Sequence, residues 1–416
     1  MDLSQPQRLP MRAPRLLLAM LLLCALNASF WGPQLAAVLE GLIRGESFPA
    51  FANRDLANYW LSGRLALSGD LAPLYDQHAY QDALEAAFGL EGMEIRNWSY
   101  PPHFLLITWP LGWMPYPLAY AAFLIATGAW FLFAVRSVLQ SFDEAAGKTA
   151  FALVAVLLLP FMLLQVLAGQ NGFFFGAAML QALIWRQRRP VAAAFMIALL
   201  TMKPQLGLLI PFLLVAERRW ALMGWAAGMT AGLVALSGLI FGPEAWRGFF
   251  SETLPYQQFV ASSWVGLFLY MMPTWFAALR ASGIPYESAL LVHGALVLPM
   301  IALCLAGIWL AKDETVRMRL LLAGTFVLTP YAFNYDLGAL LAVAAIWWLY
   351  DPDRDWPGVL LGAGVLALPL WTPLTGRPDL LLMLPPVVLS GLLLAWVVPV
   401  ISPHASRLAN RAGFVR

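Results

Sequence analysis

The chain has 416 residues, of which 61% are hydrophobic and 12% are charged, and its mean hydropathy is +0.71. Soluble domains average about 45–50% apolar and about 25% charged residues, so the composition excludes an ordinary soluble enzyme and predicts an all-α, polytopic integral membrane protein. The net charge of +2 indicates no polyelectrolyte partner, and nucleic acid is not expected to bind.

Apolar runs follow one another along the chain and predict about 12 helical spans, within a range of 10 to 13. They lie near residues 16–39, 117–139, 150–168, 171–185, 190–202, 205–216, 220–241, 286–311, 320–333, 337–350, 358–372 and 379–400. Several are shorter than the ~20 residues that a span needs, so some are expected to be broken or re-entrant. One membrane domain, residues 1–416, accounts for the whole chain.

Basic residues predict the orientation of these spans. The first run follows Arg8, Arg12 and Arg15 and is longer than the core of a signal peptide, so it is expected to stay as a helix with a cytoplasmic N-terminus. The positive-inside rule then assigns several basic stretches to the cytoplasm as well, namely 186–189, 217–219, 312–319 and the tail with Arg407, Arg411 and Arg416.

The same orientation places five polar stretches together on the outer face. They are the first outer loop 40–101 and residues 169–171, 203–205, 242–285 and 329–336. Residues 102–114 and 263–280 are predicted as interfacial helices on that face, because counting them as spans would invert several basic loops.

A helix is predicted from Leu56 in the first outer loop, ending at Gly69 and Asp70. Its spacing suggests an amphipathic helix with a wet face of Asp55, Asn58, Tyr59 and Ser62, suited to the membrane surface. Asp55 in the first turn has two interpretations. It caps the helix, or it serves as a base beside a lipid-borne substrate.

Lys203 lies between two apolar runs, and Pro204 interrupts the helix after it. A cation at such a position is a functional-site hypothesis whose natural partner is a phosphate or a carboxylate, and the alternative is a lysine that reaches the interface. Asp336 either binds substrate or pairs with an arginine. Arg54 and Arg64, near Asp55, either hold phosphate oxygens or are solvated.

Two further polar sites have equally open interpretations. His103 follows Tyr100-Pro101-Pro102 and is either an interfacial hydrogen-bonding residue or a catalyst. Gln170 and Asn171 either donate hydrogen bonds to sugar hydroxyls or stabilise a tight turn.

Together these motifs resemble glycosyltransferase family 87, which includes polyprenol-phosphate-mannose-dependent α-mannosyltransferases. The resemblance spans roughly residues 50–350. It rests on an ordered set of segments: Arg54 to Arg64, Leu74-Tyr75-Asp76, Tyr100-Pro101-Pro102, Gly169-Gln170-Asn171, Lys203-Pro204-Gln205 and Thr329-Pro330-Tyr331. One departure is that Asn334-Tyr335-Asp336 has no histidine, which members of the family often carry there.

The resemblance implies a GT-C-like fold, a polyprenyl-phosphate sugar as donor, and Asp55 as the catalytic base. The expected reaction transfers a hexose, mannose by resemblance with arabinose or another sugar as alternatives, to a lipid or glycan acceptor on the outer face of the bacterial cytoplasmic membrane. Lys203 with Arg54 or Arg64 would hold the leaving phosphate, so no metal or other cofactor is expected. A single carboxylate predicts inversion at the anomeric carbon.

Two other classes of function remain open on the sequence. A transporter or flippase of a lipid-linked sugar would also use an intramembrane lysine and broken helices, but its charges should lie near the midplane of the membrane. In a structural membrane scaffold, Asp55 and Lys203 would serve packing alone.

Overall fold

The computed structural model describes residues 28–144, 146–350, 356–370 and 379–411, together with Leu18 and Ala25. Arg8, Arg12, Arg15 and Arg416, on which part of the predicted orientation depends, lie outside the described residues, as do the side chains of Arg407 and Arg411.

Throughout the described ranges the backbone forms helices and connecting turns without a strand, as the composition predicts. The longer α-helices are Ala28–Arg44, Leu56–Ser68, Gln77–Phe88, Tyr116–Phe142, Lys148–Leu157, Leu159–Ala168, Gly172–Arg188, Pro190–Leu200, Trp220–Phe241, Leu254–Ser263, Tyr286–Leu310, Glu314–Leu328, Gly338–Tyr350, Trp356–Ala367 and Leu384–Arg411. Short α-helices are Pro49–Ala52, Leu105–Thr108, Ile210–Ala216, Pro243–Gly248, Leu267–Tyr270, Trp275–Ala281 and Asp379–Leu382. Single 3-10 turns include Ala72–Tyr75, Pro102–Phe104, Trp109–Trp113, Pro204–Leu206, Asn334–Asp336 and Leu368–Leu370, and Phe249–Thr253 is a π-helical turn.

The prediction of about 12 spans is not confirmed. Among the described helices, four are long and apolar enough to cross a membrane, and a fifth candidate is a pair of helices, Lys148–Leu157 and Leu159–Ala168, bent by 56°. Other apolar runs give shorter helices, such as the 11 residues of Pro190–Leu200. At 1.5 Å per residue such a helix covers about 16 Å, roughly half of a hydrocarbon core.

The long apolar helices carry large apolar side chains on their exposed surface. Along Trp220–Phe241, for example, Trp220, Trp225 and Leu239 are more than half exposed. A soluble protein rarely exposes a contiguous apolar face of this extent, whereas lipid tails accommodate it readily. The helices that could span a membrane therefore present the side chains that lipid contact requires.

Two central helices, Gly172–Arg188 and Gly338–Tyr350, are buried along nearly their whole length. Gly172–Arg188 packs between Tyr116–Phe142 and Pro190–Leu200. Polar sequence motifs flank both helices at the same end, so this core fixes the relative positions of the polar segments described below.

At the opposite end of Gly172–Arg188, buried charges join the basic connections that were predicted to be cytoplasmic. Arg186 Nε and Nη2 donate to Glu217 at 3.0–3.1 Å, and Arg317 Nη1 lies 3.4 Å from the same carboxylate. The 186–189, 217–219 and 312–319 connections thus meet at one end of the molecule. The side of the membrane on which they lie stays a prediction.

The Leu56–Ser68 helix forms as predicted, and Gly69 ends it with a positive φ of 77°. The predicted wet face is wrong, because Tyr59 and Ser62 are only 1% and 0% exposed. The Ser62 hydroxyl is satisfied inside the protein by Tyr59 O at 2.9 Å, so burying it costs little. The helix belongs to the core rather than to a membrane surface.

Candidate active site

The polar stretches that were predicted for the outer face are in contact with one another. Asn171 Nδ2 donates to the Tyr100 hydroxyl at 2.7 Å and so joins the Gly-Gln-Asn turn to the first outer loop. Lys203 pairs with Asp336 and so joins the residues after Pro190–Leu200 to residues 329–336, the late segment. Further contacts connect residues 242–285 to both sides: Gln257 Nε2 to Ser99 Oγ at 2.9 Å, Asn334 N to Met271 O at 2.7 Å, and Thr274 Oγ1 to Pro330 O at 3.0 Å.

Asp55 occupies the N-cap position of the Leu56–Ser68 helix, but its side chain makes no capping hydrogen bond. The capping interpretation is therefore wrong. Its backbone N–H donates to Ala168 O at 2.9 Å, which fixes the residue against the end of the Leu159–Ala168 helix. The carboxylate is held by Arg96 and by Gln170, whose Nε2 donates to Oδ2 at 2.5 Å, and 32% of the side chain remains exposed. It is a fixed anion that a substrate can still reach.

Arg96, which pairs with Asp55 through Nη1, was not identified from the sequence. It is buried, and its second partner is Glu94, at 3.2 Å from Nη2. Arg96 belongs to a stretch without regular secondary structure, so no periodicity associates it with Asp55, 41 positions earlier. The only sequence signal is that it is an arginine in the same outer loop.

Gln170 connects Asp55 to a buried tyrosine pair. The Tyr59 hydroxyl donates to Gln170 Oε1 at 3.0 Å and lies 3.2 Å from the Tyr100 hydroxyl. Burial and the neighbouring Tyr100 raise the pKa of Tyr59 well above its usual value, so the phenol keeps its proton and acts as a donor. This hydrogen bond orients the Gln170 amide so that its N–H faces the carboxylate of Asp55.

The Gly-Gln-Asn turn depends on two glycines. Gly169 has a φ of 67° and ends Leu159–Ala168, a conformation that favours glycine. A Cβ on Gly172 would lie 1.9 Å from Tyr335 O. Gln165 joins the same two segments, since its Nε2 donates to Tyr335 O at 2.8 Å and its Oε1 accepts from Gly172 N at 2.9 Å. The late segment is thereby held against the turn that carries Gln170 and Asn171.

Lys203 and Asp336 form a buried ion pair, with Nζ 2.5 Å from Oδ1 and side-chain exposures of 7% and 0%. Asp336 is thus a carboxylate partner of Lys203, and the partner of Asp336 is a lysine rather than an arginine. The Tyr335 ring lies 5.0 Å from Nζ and stabilises the cation further. An ammonium has three N–H donors, so one contact with Asp336 does not use its full capacity.

Tyr100 lies within the electrostatic influence of this ion pair while bonding to Tyr59. Burial raises the pKa of Tyr100, the charge of Lys203 lowers it and the charge of Asp336 raises it. The Asp55–Arg96 and Lys203–Asp336 pairs therefore belong to one polar site, with Tyr59, Gln170 and Tyr100 between them.

Comparison with known proteins assigns the chain to a family. The model of glycosyltransferase family 87 matches residues 98–330, more than half of the chain. The chain belongs to glycosyltransferase family 87. No curated protein and no solved structure matches it significantly. The matched range contains Tyr100, Gln170 and Lys203, whereas Asp55 precedes it.

Membership of glycosyltransferase family 87, together with the apolar helices, indicates a membrane glycosyltransferase. Among the described residues, no three His, Cys, Asp or Glu side chains are close enough together to hold a metal ion. Transfer without a metal remains a prediction for this family 87 enzyme.

The two arginines predicted near Asp55 point elsewhere in the family 87 chain. Arg54 Nη1 donates to Leu167 O at 3.1 Å and to Gln34 Oε1 at 3.3 Å, so its cation lies at the C-terminal end of Leu159–Ala168, where the helix dipole favours it. Arg64 is exposed and stacks over the Trp60 ring at 5.0 Å. Neither forms an ion pair with Asp55 in the structure; Arg96 takes that position.

His103 is buried at the edge of the site, where its ring stacks on Trp246 at 5.6 Å. Nε2 lies 3.1 Å from Thr201 Oγ1, and the Thr201 hydroxyl itself donates to Ala198 O. His103 must then donate through Nε2, which fixes the neutral tautomer with its proton there. Burial lowers the pKa of His103 to about 4, so the ring is uncharged at neutral pH.

Proposed function

We propose that this family 87 enzyme transfers a hexose from a polyprenyl-phosphate sugar to a hydroxyl of a lipid or glycan acceptor, with Asp55 as the general base. The proposed sugar is mannose, because family 87 includes polyprenol-phosphate-mannose-dependent mannosyltransferases. The reaction takes place on the outer face of the bacterial cytoplasmic membrane. The observation that carries the proposal is the Asp55 carboxylate, which is fixed by Arg96 and Gln170 yet 32% exposed.

The donor already contains its leaving group, because a polyprenyl phosphate departs as a stable anion. The enzyme must instead remove the proton of the acceptor hydroxyl. Asp55 takes that proton as the acceptor oxygen forms a bond to the anomeric carbon. The bond between that carbon and the phosphate oxygen breaks, and its electron pair leaves with the polyprenyl phosphate. One displacement inverts the anomeric centre, so a β-linked donor gives an α-linked product.

Arg96 and Gln170 act on Asp55 rather than on the substrate in this scheme. Both donate to the carboxylate, so they hold it in one orientation before the acceptor binds. A preorganised base needs no rearrangement during the reaction, which is the main advantage that enzymes have over water. Arg96 is therefore a positioning residue, and Asp55 is the group that contacts the reacting atoms.

Lys203 is the cation proposed to face the departing phosphate. The pairing with Asp336 offsets its charge in the free enzyme, and the remaining N–H donors are available for phosphate oxygens. A compact ammonium in a largely water-excluded site stabilises a developing phosphate charge strongly. Arg54 donates hydrogen bonds to Gln34 and Leu167, and Arg64 stacks on the Trp60 ring. Lys203 is therefore the favoured candidate for binding the donor phosphate.

The experiment uses the purified full-length protein, polyprenyl-phosphate mannose labelled in the sugar, and a lipid acceptor extract. The proposal expects label in a new glycolipid or glycan whose anomeric configuration, determined by NMR, is inverted relative to the donor. Retained configuration would contradict a single displacement. If the label moves between leaflets of a proteoliposome but never reaches an acceptor, the protein is a flippase of the lipid-linked sugar instead.

A further inference from the structure

Beside the Asp55 site lies a cleft of about 230 Å³, for which the proposed reaction has no role. One wall is the segment from Leu74 to Tyr80, which includes the start of the Gln77–Phe88 helix. The floor is Asn97 and Trp98, and the other wall runs from Glu252 to Tyr256. The volume is smaller than the ~300–1,000 Å³ typical of drug-sized ligands and suits a group about the size of one sugar ring.

The chemistry of the cleft selects a hydroxylated ligand without negative charge. Aromatic side chains from all three sides line it, including Tyr75, Trp98 and Tyr256. Asp76 and Glu252 add carboxylates, and among the residues that line the cleft no side chain is basic. A phosphate would meet repulsion here without a compensating cation, whereas sugar hydroxyls donate well to carboxylates and amides.

Three polar atoms in this region lack partners. Trp98 Nε1, Thr253 Oγ1 and the Tyr75 hydroxyl are buried and have no hydrogen bond to any described residue. Native proteins satisfy nearly all buried polar groups, so each of these atoms needs a partner, and all three belong to residues that line the cleft. A ligand with several hydroxyl groups would provide the missing donors and acceptors.

The cleft walls are held together by specific contacts. The Tyr75 ring packs on the backbone of Gly248 so closely that a Cβ there would lie 2.5 Å from the ring. Thr253 ends the π-helical turn Phe249–Thr253, a rare conformation found frequently at functional sites. Gln257 Nε2 donates to Ser99 Oγ at 2.9 Å and ties the wall to the floor. These contacts make the cleft a built feature rather than a loose gap.

The cleft adjoins the base. Tyr80 lines it, and the Tyr80 hydroxyl donates to Asn58 Oδ1 at 2.8 Å, one helical turn after Asp55. On the other side, Gln77 Nε2 donates to the backbone oxygen of Arg96 at 2.8 Å, and Arg96 pairs with Asp55. Two residues that line the cleft, Tyr80 and Gln77, thus contact the helix that begins after Asp55 and the arginine that pairs with Asp55.

We infer that this cleft binds the uncharged sugar headgroup of the acceptor and presents it towards Asp55. The inference rests on the proposed transferase function, since it assigns the cleft to one substrate of that reaction. The donor phosphate has its own cation at Lys203, so the two substrates occupy sites of opposite electrostatic character.

Two variants test the cleft without disturbing the base. Thr253→Val removes a hydroxyl that has no partner among the described residues, so it should fold normally. Glu252→Gln removes an exposed carboxylate, and its matched control is Glu244→Gln, an exposed carboxylate two turns earlier that pairs only at the surface with Arg247. Each cleft variant is expected to raise the apparent KM for acceptor extract about 3- to 10-fold, with the donor KM unchanged.

A binding measurement separates this inference from the proposed function. Methyl α-D-mannopyranoside is the probe, with methyl phosphate as the anionic comparison, and saturation-transfer NMR on the full-length protein in nanodiscs is the readout. We expect the glycoside to bind to wild type and Asp55→Asn alike and to bind more weakly to Thr253→Val, and methyl phosphate not to compete. Glycoside binding of this kind without any sugar transfer by wild type would support the cleft and overturn the transferase. If the enzyme transfers sugar but both cleft variants keep the wild-type acceptor KM and the wild-type glycoside binding, the cleft does not bind the acceptor. The proposed transferase function would stand in that case.

Discussion

Gln170 donates its side-chain amide to Asp55 Oδ2 at 2.5 Å, across 115 positions of the sequence. This hydrogen bond joins the first outer loop to the turn between two buried helices. The same Gln170 amide accepts from Tyr59, so its orientation is fixed from both sides.

Arg96→Gln removes the cation beside Asp55 and should lower kcat with little change in the donor KM, because Arg96 contacts Asp55 and the proposal assigns the donor phosphate to Lys203. A hydrogen bond to a charged group contributes about 1.5–3 kcal/mol, which corresponds to about a 10- to 150-fold loss of rate. Steady-state kinetics of transfer measure the effect. Arg96→Lys, which keeps the charge, should recover part of the loss, and Arg64→Gln at an exposed arginine is the control. Equal kcat in Arg96→Gln and Arg64→Gln would contradict the positioning role.

Lys203→Met should destabilise the protein strongly, because it leaves the Asp336 carboxylate buried without its partner. Breaking a buried ion pair on one side costs about 3–5 kcal/mol, whereas replacing both partners by apolar residues is often neutral. The double variant Lys203→Met/Asp336→Leu should therefore recover most of the loss. Chemical denaturation in detergent, followed by circular dichroism, measures the stability of wild type, the two single variants Lys203→Met and Asp336→Leu, and the double variant. Equal stability of the single and double variants would show that the two charges do not depend on one another.

The same double variant tests the phosphate contact, because it removes the cation while the fold is retained. Donor affinity, measured with labelled polyprenyl-phosphate mannose, should be lower than in wild type. Lys312→Met should bind the donor normally, because this exposed lysine belongs to the 312–319 connection at the opposite end of Gly172–Arg188. Unchanged donor affinity in the double variant would remove Lys203 from the donor site.

His103 should make stability depend on acidic pH. Its pKa is lowered to about 4 by burial from an ordinary value of 6.5, so the unfolded chain binds a proton more readily than the folded protein. The stabilising contribution is fully present above pH 6.5 and is lost as the pH falls towards 4, by up to about 3 kcal/mol. Between pH 4 and 7.5, the denaturation midpoint of His103→Gln should depend less on pH than the midpoint of wild type. His78→Gln, at an exposed histidine, should retain the wild-type slope, and the same slope in all three proteins would exclude a neutral buried His103.

Gly172→Ala should displace the late segment, because its new methyl group would lie 1.9 Å from Tyr335 O. Overpacking of this kind typically costs about 1–3 kcal/mol, and here it also disturbs the segment that carries Asp336. Thermal unfolding and transfer activity should both decline. Gly224→Ala is the control, since beyond its neighbours and the backbone of its own helix no atom lies within 4 Å of its Cβ position, and alanine favours a helix. A Gly172→Ala protein as stable and active as Gly224→Ala would show that this close approach is not needed.

The sequence was sufficient for local features that depend on neighbouring residues. The Leu56–Ser68 helix and its end at Gly69 follow from apolar spacing and from a residue that tolerates positive φ. Helices also form at most of the apolar runs. The number of full spans did not follow, because hydropathy does not distinguish one long helix from short helices separated by proline or glycine breaks, as at Pro204.

For the site, too, the sequence predicted local features but not contacts between distant residues. Residue types placed Asp55, Gln170, Lys203 and Asp336 among the candidates, but pairing depends on contacts between residues far apart in sequence. The wet face of the 56–68 helix was wrong because Tyr59 and Ser62 find partners in other segments, which no helical spacing reveals. Arg96 was missed for a similar reason, since its stretch has no periodic structure and its role appears only beside Asp55.

The most direct test is the rate of sugar transfer in a single turnover by Asp55→Asn. Asparagine keeps the size of the side chain but cannot accept the proton as a carboxylate does. A general base typically contributes about 10²- to 10⁴-fold, so the rate should fall by that factor while labelled donor still binds. Asp82→Asn, at an exposed carboxylate of the neighbouring helix, should transfer at the wild-type rate. If Asp55→Asn and Asp82→Asn transfer equally fast, Asp55 is not the base.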